Sequence, residues 1–227
     1  MIHVYGTSHV SHESLDLIQE KIEEHDPDTV ALELDFMRLN ALLNDESQRG
    51  GPIFIRIIKK FQDMIGSKTG VMPGEEMLYA YQSAINEGRD VALIDQEIKD
   101  TIRKLKDVRR VEKARAFTQL AIGAVLPGSF DISKIPEDEF IDRLLEEFKF
   151  KFPELHYVLV EERNQHMIAA LKQLQEEEPG KDIVAFVGAA HQKEIQRQVD
   201  KFDIEEEDNS ETEEDEQNQA QGLQHFE

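Results

Sequence analysis

The sequence predicts an α/β protein: a largely parallel central sheet wrapped by helices, with a helical insertion. Three observations predict it. Four short apolar runs (residues 2–5, 29–34, 91–95 and 182–187) alternate with segments of helical periodicity, the pattern of parallel strands joined by helical crossovers. The stretch 108–150 contains helical periodicity but no strand-like run. The first and last apolar runs each end in Gly-x-x-His: Gly6-Thr7-Ser8-His9 and Gly188-Ala189-Ala190-His191. Residues just beyond a strand in such a fold stand at its carboxyl end, where ligands bind.

The elements follow in order. Ile2–Tyr5 reads as the first strand, and Leu15, Ile18 and Ile22 give the next segment helical spacing, with Ser11 or Ser14 as its cap. Asp26-Pro27-Asp28 closes that helix, and Thr29–Leu34 is the second strand. A helix through Met37, Leu39, Leu42 and Leu43 follows. Residues 46–74 are less regular. Two glycine–proline clusters bracket an apolar-basic stretch (Ile53, Phe54, Ile55, Ile57, Ile58, Phe61, Met64, Ile65) that reads as a helix covering or gating something, or as a peripheral helix or homodimer contact, with a further strand conceivable at 53–58. Glu75–Glu87 is a helix that Gly88 ends as a left-handed cap. Val91–Asp95 is the third strand, and Glu97–Lys106 a helix. In the insertion, about 108–150, Pro127-Gly128 marks a break. His156–Glu177 is one long helix, Asp182–Val187 the fourth strand, and Glu194–Phe202 the last helix.

Composition sets bounds. The 227 residues suit one α/β domain, here residues 1–202, followed by an acidic tail at 203–227. With no cysteine, disulfides, thiolate metal sites and cysteine nucleophiles are excluded. No signal peptide or bilayer-length apolar run is visible, so the expectation is a soluble, cytoplasmic protein without a membrane span. The formal charge is −22. The tail carries 11 acids and no Lys or Arg, leaving 37 acids against 26 bases in the body. Such a surface opposes nucleic-acid phosphates, and no nucleic-acid partner is expected. The tail's composition predicts a disordered, solubilising segment, with a specific binding role as the alternative.

The chemistry-bearing residues gather at the predicted strand ends. The first strand supplies Gly6 and His9, the second Glu33, the third Asp95, and the fourth Gly188 and His191. Two imidazoles and up to two carboxylates on one rim could hold a divalent metal with positions open to water and substrate. Glycine at the turn permits close backbone approach. Glu33 sits among Ala31, Leu32 and Leu34, where an unpaired carboxylate is costly. It needs a cation, either Arg38 in a structural pair or a metal. Asp95 reads either as a site residue or as a cap for the helix after it. On the long helix, Glu162, Arg163 and Asn164 precede Met167, Ile168 and Leu171, which have core spacing. They cannot all face water if that side is buried. The other histidines, including His3, His25 and His156, lack a comparable setting. No nucleophile elbow, phosphate-binding loop, dinucleotide fingerprint or His-Glu-x-x-His appears.

Four stretches together resemble the TraB/PrgY/GumN (Tiki-like) family. They are Gly6–Ser11; Pro27–Asp35 with Arg38; Gly74–Met77 leading to Leu93–Ile98 and Thr101; and Glu162-Arg163-Asn164 with Met167, then Val187–His191. The resemblance covers about residues 2–202 and is nearest to archaeal and bacterial TraB domains. It implies a fold of the erythromycin esterase, ChaN and Tiki kind. It also implies a metal-assisted hydrolytic site built on two Gly-x-x-His motifs and an acidic residue. Tiki members are metal-dependent proteases, and TraB/PrgY members are linked to the shutdown of peptide pheromone signals. Carried over motif by motif, His9, Glu33 and His191 would hold a divalent metal (Mn, Co or Zn). Glu33, Arg38, Arg163 and Asn164 would act in catalysis or orient substrate. Gly6, Asp95, Glu162 and Gly188 are additional candidates. The sequence departs from the family at Glu194, where a glycine often stands, and in ending with an acidic tail rather than membrane spans. The expected function is a metal-dependent, peptidase-like hydrolase acting on a peptide or small-molecule substrate. The alternatives are a non-catalytic protein that sequesters a peptide or anionic ligand at the same rim, and a metal-free esterase using His9 as base.

Overall fold

A computed structural model describes residues 1–7, 12–44, 75–125 and 137–202. The elements are β1 (Ile2–Thr7), α1 (His12–His25), β2 (Thr29–Leu32), α2 (Phe36–Leu43), α3 (Glu75–Asn86), β3 (Asp90–Leu93), α4 (Ile98–Asp107), α5 (Arg110–Val125), α6 (Glu137–Lys151), α7 (Pro153–His156), a π-helical turn (Tyr157–Glu161), α8 (Glu162–Glu177), β4 (Ile183–Gly188) and α9 (residues 189–202). The expected covering helix, strand or dimer contact within 46–74, the Pro127-Gly128 break and the acidic tail lie outside the described residues.

The four strands form one parallel sheet in the order β1-β4-β2-β3. β1 and β2 leave a slot between them that the last strand fills. β4 therefore pairs with both, Gly6 opposite Val187 and Leu32 opposite Phe186. Its six residues are all buried, as a central parallel strand requires.

Side-chain alternation divides the core. Ile183, Ala185 and Val187 of β4 join Ala31, Ile2 and Val4 on one face, beneath Met167 and Leu171 of α8 and Ile195 and Val199 of α9. Val184 and Phe186 join Val30, Leu32 and Leu34 on the other, against Ile18 and Ile22 of α1 and Met77, Ala80 and Ala84 of α3. The result is a helix–sheet–helix sandwich.

Boundaries differ locally from expectation. β1 runs two residues further than Ile2–Tyr5, so Gly6 lies within the strand rather than in a turn. Gly6 is tight for a different reason: an added Cβ would meet the Gln192 side chain. The long helix starts at Pro153, whose missing N–H costs nothing in the first turn. It then passes through the π turn. One residue added to a helix turns the following side chains by about 100°. That shift lets Val158 pack with Leu105 and Val108 while Arg163, Met167 and Leu171 face the sheet. Gly88 closes α3 at φ 74°, the left-handed cap its sequence position predicts.

Candidate functional site

Glu33 lies one step past β2 on the face of Ala31, so the strand's alternation directs it under α8. Its backbone N–H still bonds the Phe186 carbonyl at 3.1 Å. Oε2 accepts the Gly188 N–H at 2.5 Å, so the end of β4 fixes the carboxylate directly. On α8, Arg163 precedes Met167 and Leu171 by one and two turns; on α9, His191 stands in the same relation to Ile195 and Val199. Each polar residue opens a stripe that packs on the sheet, and the stripes deliver both side chains to the carboxyl rim.

The Arg163 guanidinium is the centre of the site. Nε and Nη2 hold Asp95 in a two-point grip, to Oδ1 at 3.1 Å and Oδ2 at 2.7 Å. Nη2 also donates to Glu33 Oε1. Nη1 donates to the Leu159 carbonyl at 3.3 Å, inside the π turn, and to His191 Nε2 at 3.1 Å. All five N–H groups are directed at acceptors. Burial opposes the charge most strongly, yet the attraction of Glu33 and then Asp95 outweighs it and holds the guanidinium above the ordinary arginine pKa.

The geometry also fixes the protonation of His191. An arginine can only donate, so Nε2 must present its lone pair to Nη1. The ring proton is then on Nδ1, donated to Asn164 Oδ1 at 2.6 Å. His191 is thus a neutral imidazole whose Nε2 lies 3.6 Å from Glu33 Oε1. Side-chain exposure is 5% for His191 and 3% for Glu33.

Two expectations about pairing are corrected. Arg38 does not pair with Glu33; its Nη1 bonds Asp95 Oδ2 at 2.5 Å, and Arg163 is the cation for Glu33. Asp95 is not the cap of the following helix, whose N-cap is Glu97 with no side-chain cap bond. It accepts from two arginines instead, because β3 ends beside β2 and carries it between α2 and α8. Glu162 points elsewhere, to Lys104 at 2.9 Å. Gly188 serves through its backbone N–H, and Gly6 sits on the neighbouring strand. His9 lies outside the described residues.

Sequence reasoning passed over three features. Asp35 is buried and caps α2, its Oδ1 accepting from Met37 N at 2.8 Å and Arg38 N at 3.2 Å, while Oδ2 has no hydrogen-bond partner. Asp followed by a helical pattern signals such a cap. His156 is buried with its ring edge-on to Phe148. His25 stacks on His3 and bonds the Tyr5 hydroxyl at 2.5 Å, because His3 and Tyr5 alternate onto the face that α1 covers. No sequence spacing announces the last two contacts.

A divalent ion shared by Glu33 Oε1 and His191 Nε2 would need the position that the Arg163 nitrogens take. Ion and guanidinium would compete for the same lone pairs and repel each other. In the described residues that position holds the Arg163 guanidinium, and His9, the third expected ligand, lies outside them. Among the described residues, no group of three His, Asp or Glu side chains is placed to hold one ion.

Sheet and site define an α/β protein with a buried ionic cluster at the carboxyl rim of a parallel sheet. The chain belongs to the TraB/PrgY/gumN family, whose model matches residues 1–204. It is 31% identical over 221 residues to the uncharacterized protein MJ1365 of Methanocaldococcus jannaschii, an alignment covering 89% of this chain and 54% of that protein. The chain thus spans about half the length of this curated relative. Among solved structures, an EreC erythromycin esterase mutant in its open conformation is similar, with a TM-score of 0.33 at 14% identity, over 82% of this chain and 60% of that one. Among the described residues, no helix is long and apolar enough to cross a membrane.

Proposed function

We propose that this chain is a hydrolase of an amide or ester carbonyl, peptidase-like in substrate class, with Arg163 supplying the positive charge at the reacting centre. One observation carries the reading: His191, bonded through Nδ1 to Asn164 and through Nε2 to Arg163, faces Glu33 in a buried cluster. Several ionic groups buried together stabilise a fold poorly compared with apolar packing, and perturbed clusters of this kind concentrate at functional sites. The peptide class, and with it the inactivation of a signalling peptide, is supported by family membership alone.

The chemistry follows from the atoms. A substrate carbonyl draws an Arg163 Nη1 hydrogen toward itself, freeing His191 Nε2. Nε2 takes a proton from water as the water oxygen bonds the carbonyl carbon. Arg163 stabilises the oxyanion, and Glu33 Oε1 the new imidazolium. Collapse expels the amine or alcohol, which takes the proton back from Nε2. Arg38, one-third exposed and bound to Asp95, is positioned to receive an anionic substrate group.

The test is hydrolysis of peptide and ester libraries followed by mass spectrometry. His191→Ala is expected to lower kcat/KM by about 10²–10⁴-fold and Arg163→Lys by about 10²–10³-fold. Asn164→Leu frees the ring to change tautomer and is expected to lower kcat more than it changes KM. Chelation should leave activity intact. Activity that vanishes on chelation and returns with Mn, Co or Zn would replace the arginine by an ion held by Glu33, His191 and His9. A ligand recovered unaltered from a saturable complex would establish the sequestering role instead.

A further inference from the structure

Away from the rim, the charge of this acidic chain is locally reversed among the described residues. Eight of its 26 basic residues fall within residues 99–115, against three acids. This segment forms α4 and the start of α5. Beside it is a groove of about 530 Å3 lined by Arg109, Val111, Arg115, Phe150 and Lys151 with Glu112 and Pro153. Large apolar side chains stand out around it: Phe150 is 88% exposed, Val111 71% and Phe117 63%. Arg109 pairs with Glu154. Neither Arg110 nor Arg115 forms an ion pair among the described residues. A groove with apolar walls, lined by the unpaired Arg115 and with the unpaired Arg110 on the same helix, suits an acidic segment with a few apolar residues.

We propose that this groove docks the chain's own acidic tail, residues 203–227. The tail has the complementary charge, 11 acids and no Lys or Arg, and it ends in Leu223 and Phe226 after its acidic block. It departs from α9, which Lys193 ties to Asp142 of α6, the helix that brings Phe150 and Lys151 to the groove. Twenty-five residues can span roughly 85 Å when extended. A body of this size has a radius of gyration of about 17 Å, so every part of its surface is within reach. Tethering gives the tail an effective concentration in the millimolar range. A foreign polyanion, nucleic acid or anionic membrane, must approach against a body with an excess of acids. The tail meets the same repulsion, but its tethered effective concentration offsets it.

The test is carbodiimide coupling of lysines to carboxylates in the full chain, with peptide mapping. The tail's carboxylates should couple mainly to Lys106, Lys113 and Lys151, and little to Lys21 or Lys181. An Arg110→Glu/Arg115→Glu double variant changes only exposed side chains. It should reduce coupling to the patch about tenfold, and 1 M salt, where screening acts over about 3 Å, should do the same. Even coupling across all lysines, or patch coupling unchanged in the double variant, would overturn the proposal. So would links found mainly between chains when light and heavy isotope-labelled copies are mixed, since the tail would then dock on a second copy. None of these readouts depends on hydrolytic activity.

Discussion

Replacing Arg163 by methionine keeps the length and packing of the side chain while deleting its charge and five donors. Glu33 and Asp95 then remain with side-chain exposures of 3% and 2% and lose the cation they share. Removing one partner of a buried ion pair costs about 3–5 kcal/mol, because the partner's charge stays buried. For a body of this size, that corresponds to a fall in Tm of about 6–20 °C. Chemical denaturation with linear extrapolation measures it, the m-value staying unchanged. The companion variant decides the mechanism. Adding Glu33→Gln and Asp95→Asn to Arg163→Met removes the stranded charges, so the triple variant should be more stable than Arg163→Met alone. That non-additivity is the signature of one shared network. If Arg163→Met lies within 1 kcal/mol of the parent, or if the three costs simply add, the buried network as described is wrong.

Other outcomes follow from single residues. His156 has its pKa lowered, by burial first and by Lys149, against an opposing pull from Glu161. The unfolded chain therefore binds a proton below about pH 6.5 that the folded chain resists. Its contribution is full above that pH and is lost as pH falls toward the folded value, with a slope of at most about 1.4 kcal/mol per pH unit. Denaturation curves between pH 7 and 5 should show this slope reduced in His156→Gln. Gly88→Ala should cost about 1 kcal/mol, because a residue with a Cβ is strained at φ 74°. Gly6→Ala should cost less, since the atom it meets is the far end of the Gln192 side chain. Asp35→Ala removes the cap of α2 and should cost about 1 kcal/mol by thermal denaturation.

Much of the site was legible. Alternation along Val30, Ala31, Leu32, Glu33 and Leu34 marks Glu33 as a buried carboxylate, and Arg163, Met167 and Leu171 share a face by simple helical spacing. The second Gly-x-x-His phrase begins at the last residue of β4, while the first begins inside β1 and its His9 lies outside the described residues. What spacing could not supply was partner choice. Arg38 is five residues from Glu33 and Arg163 is 130 away, yet Arg163 makes the bond, because α2 leads Arg38 toward β3 while α8 crosses above β2.

The sequence by itself determined the periodicities: four apolar runs with helices between them, a carboxylate and a histidine at strand ends, and an acidic tail after a less acidic body. These follow from the 2.0 and 3.6 repeats that any chain of this pattern carries. Only the tertiary structure decided the strand order β1-β4-β2-β3, which seats the last strand beside both the first and the second. That order brings Gly188 N–H to Glu33 and His191 to Arg163. The protonation of His191 was likewise decided there, because a hydrogen bond's direction depends on which donor arrives in space and not on any distance along the chain.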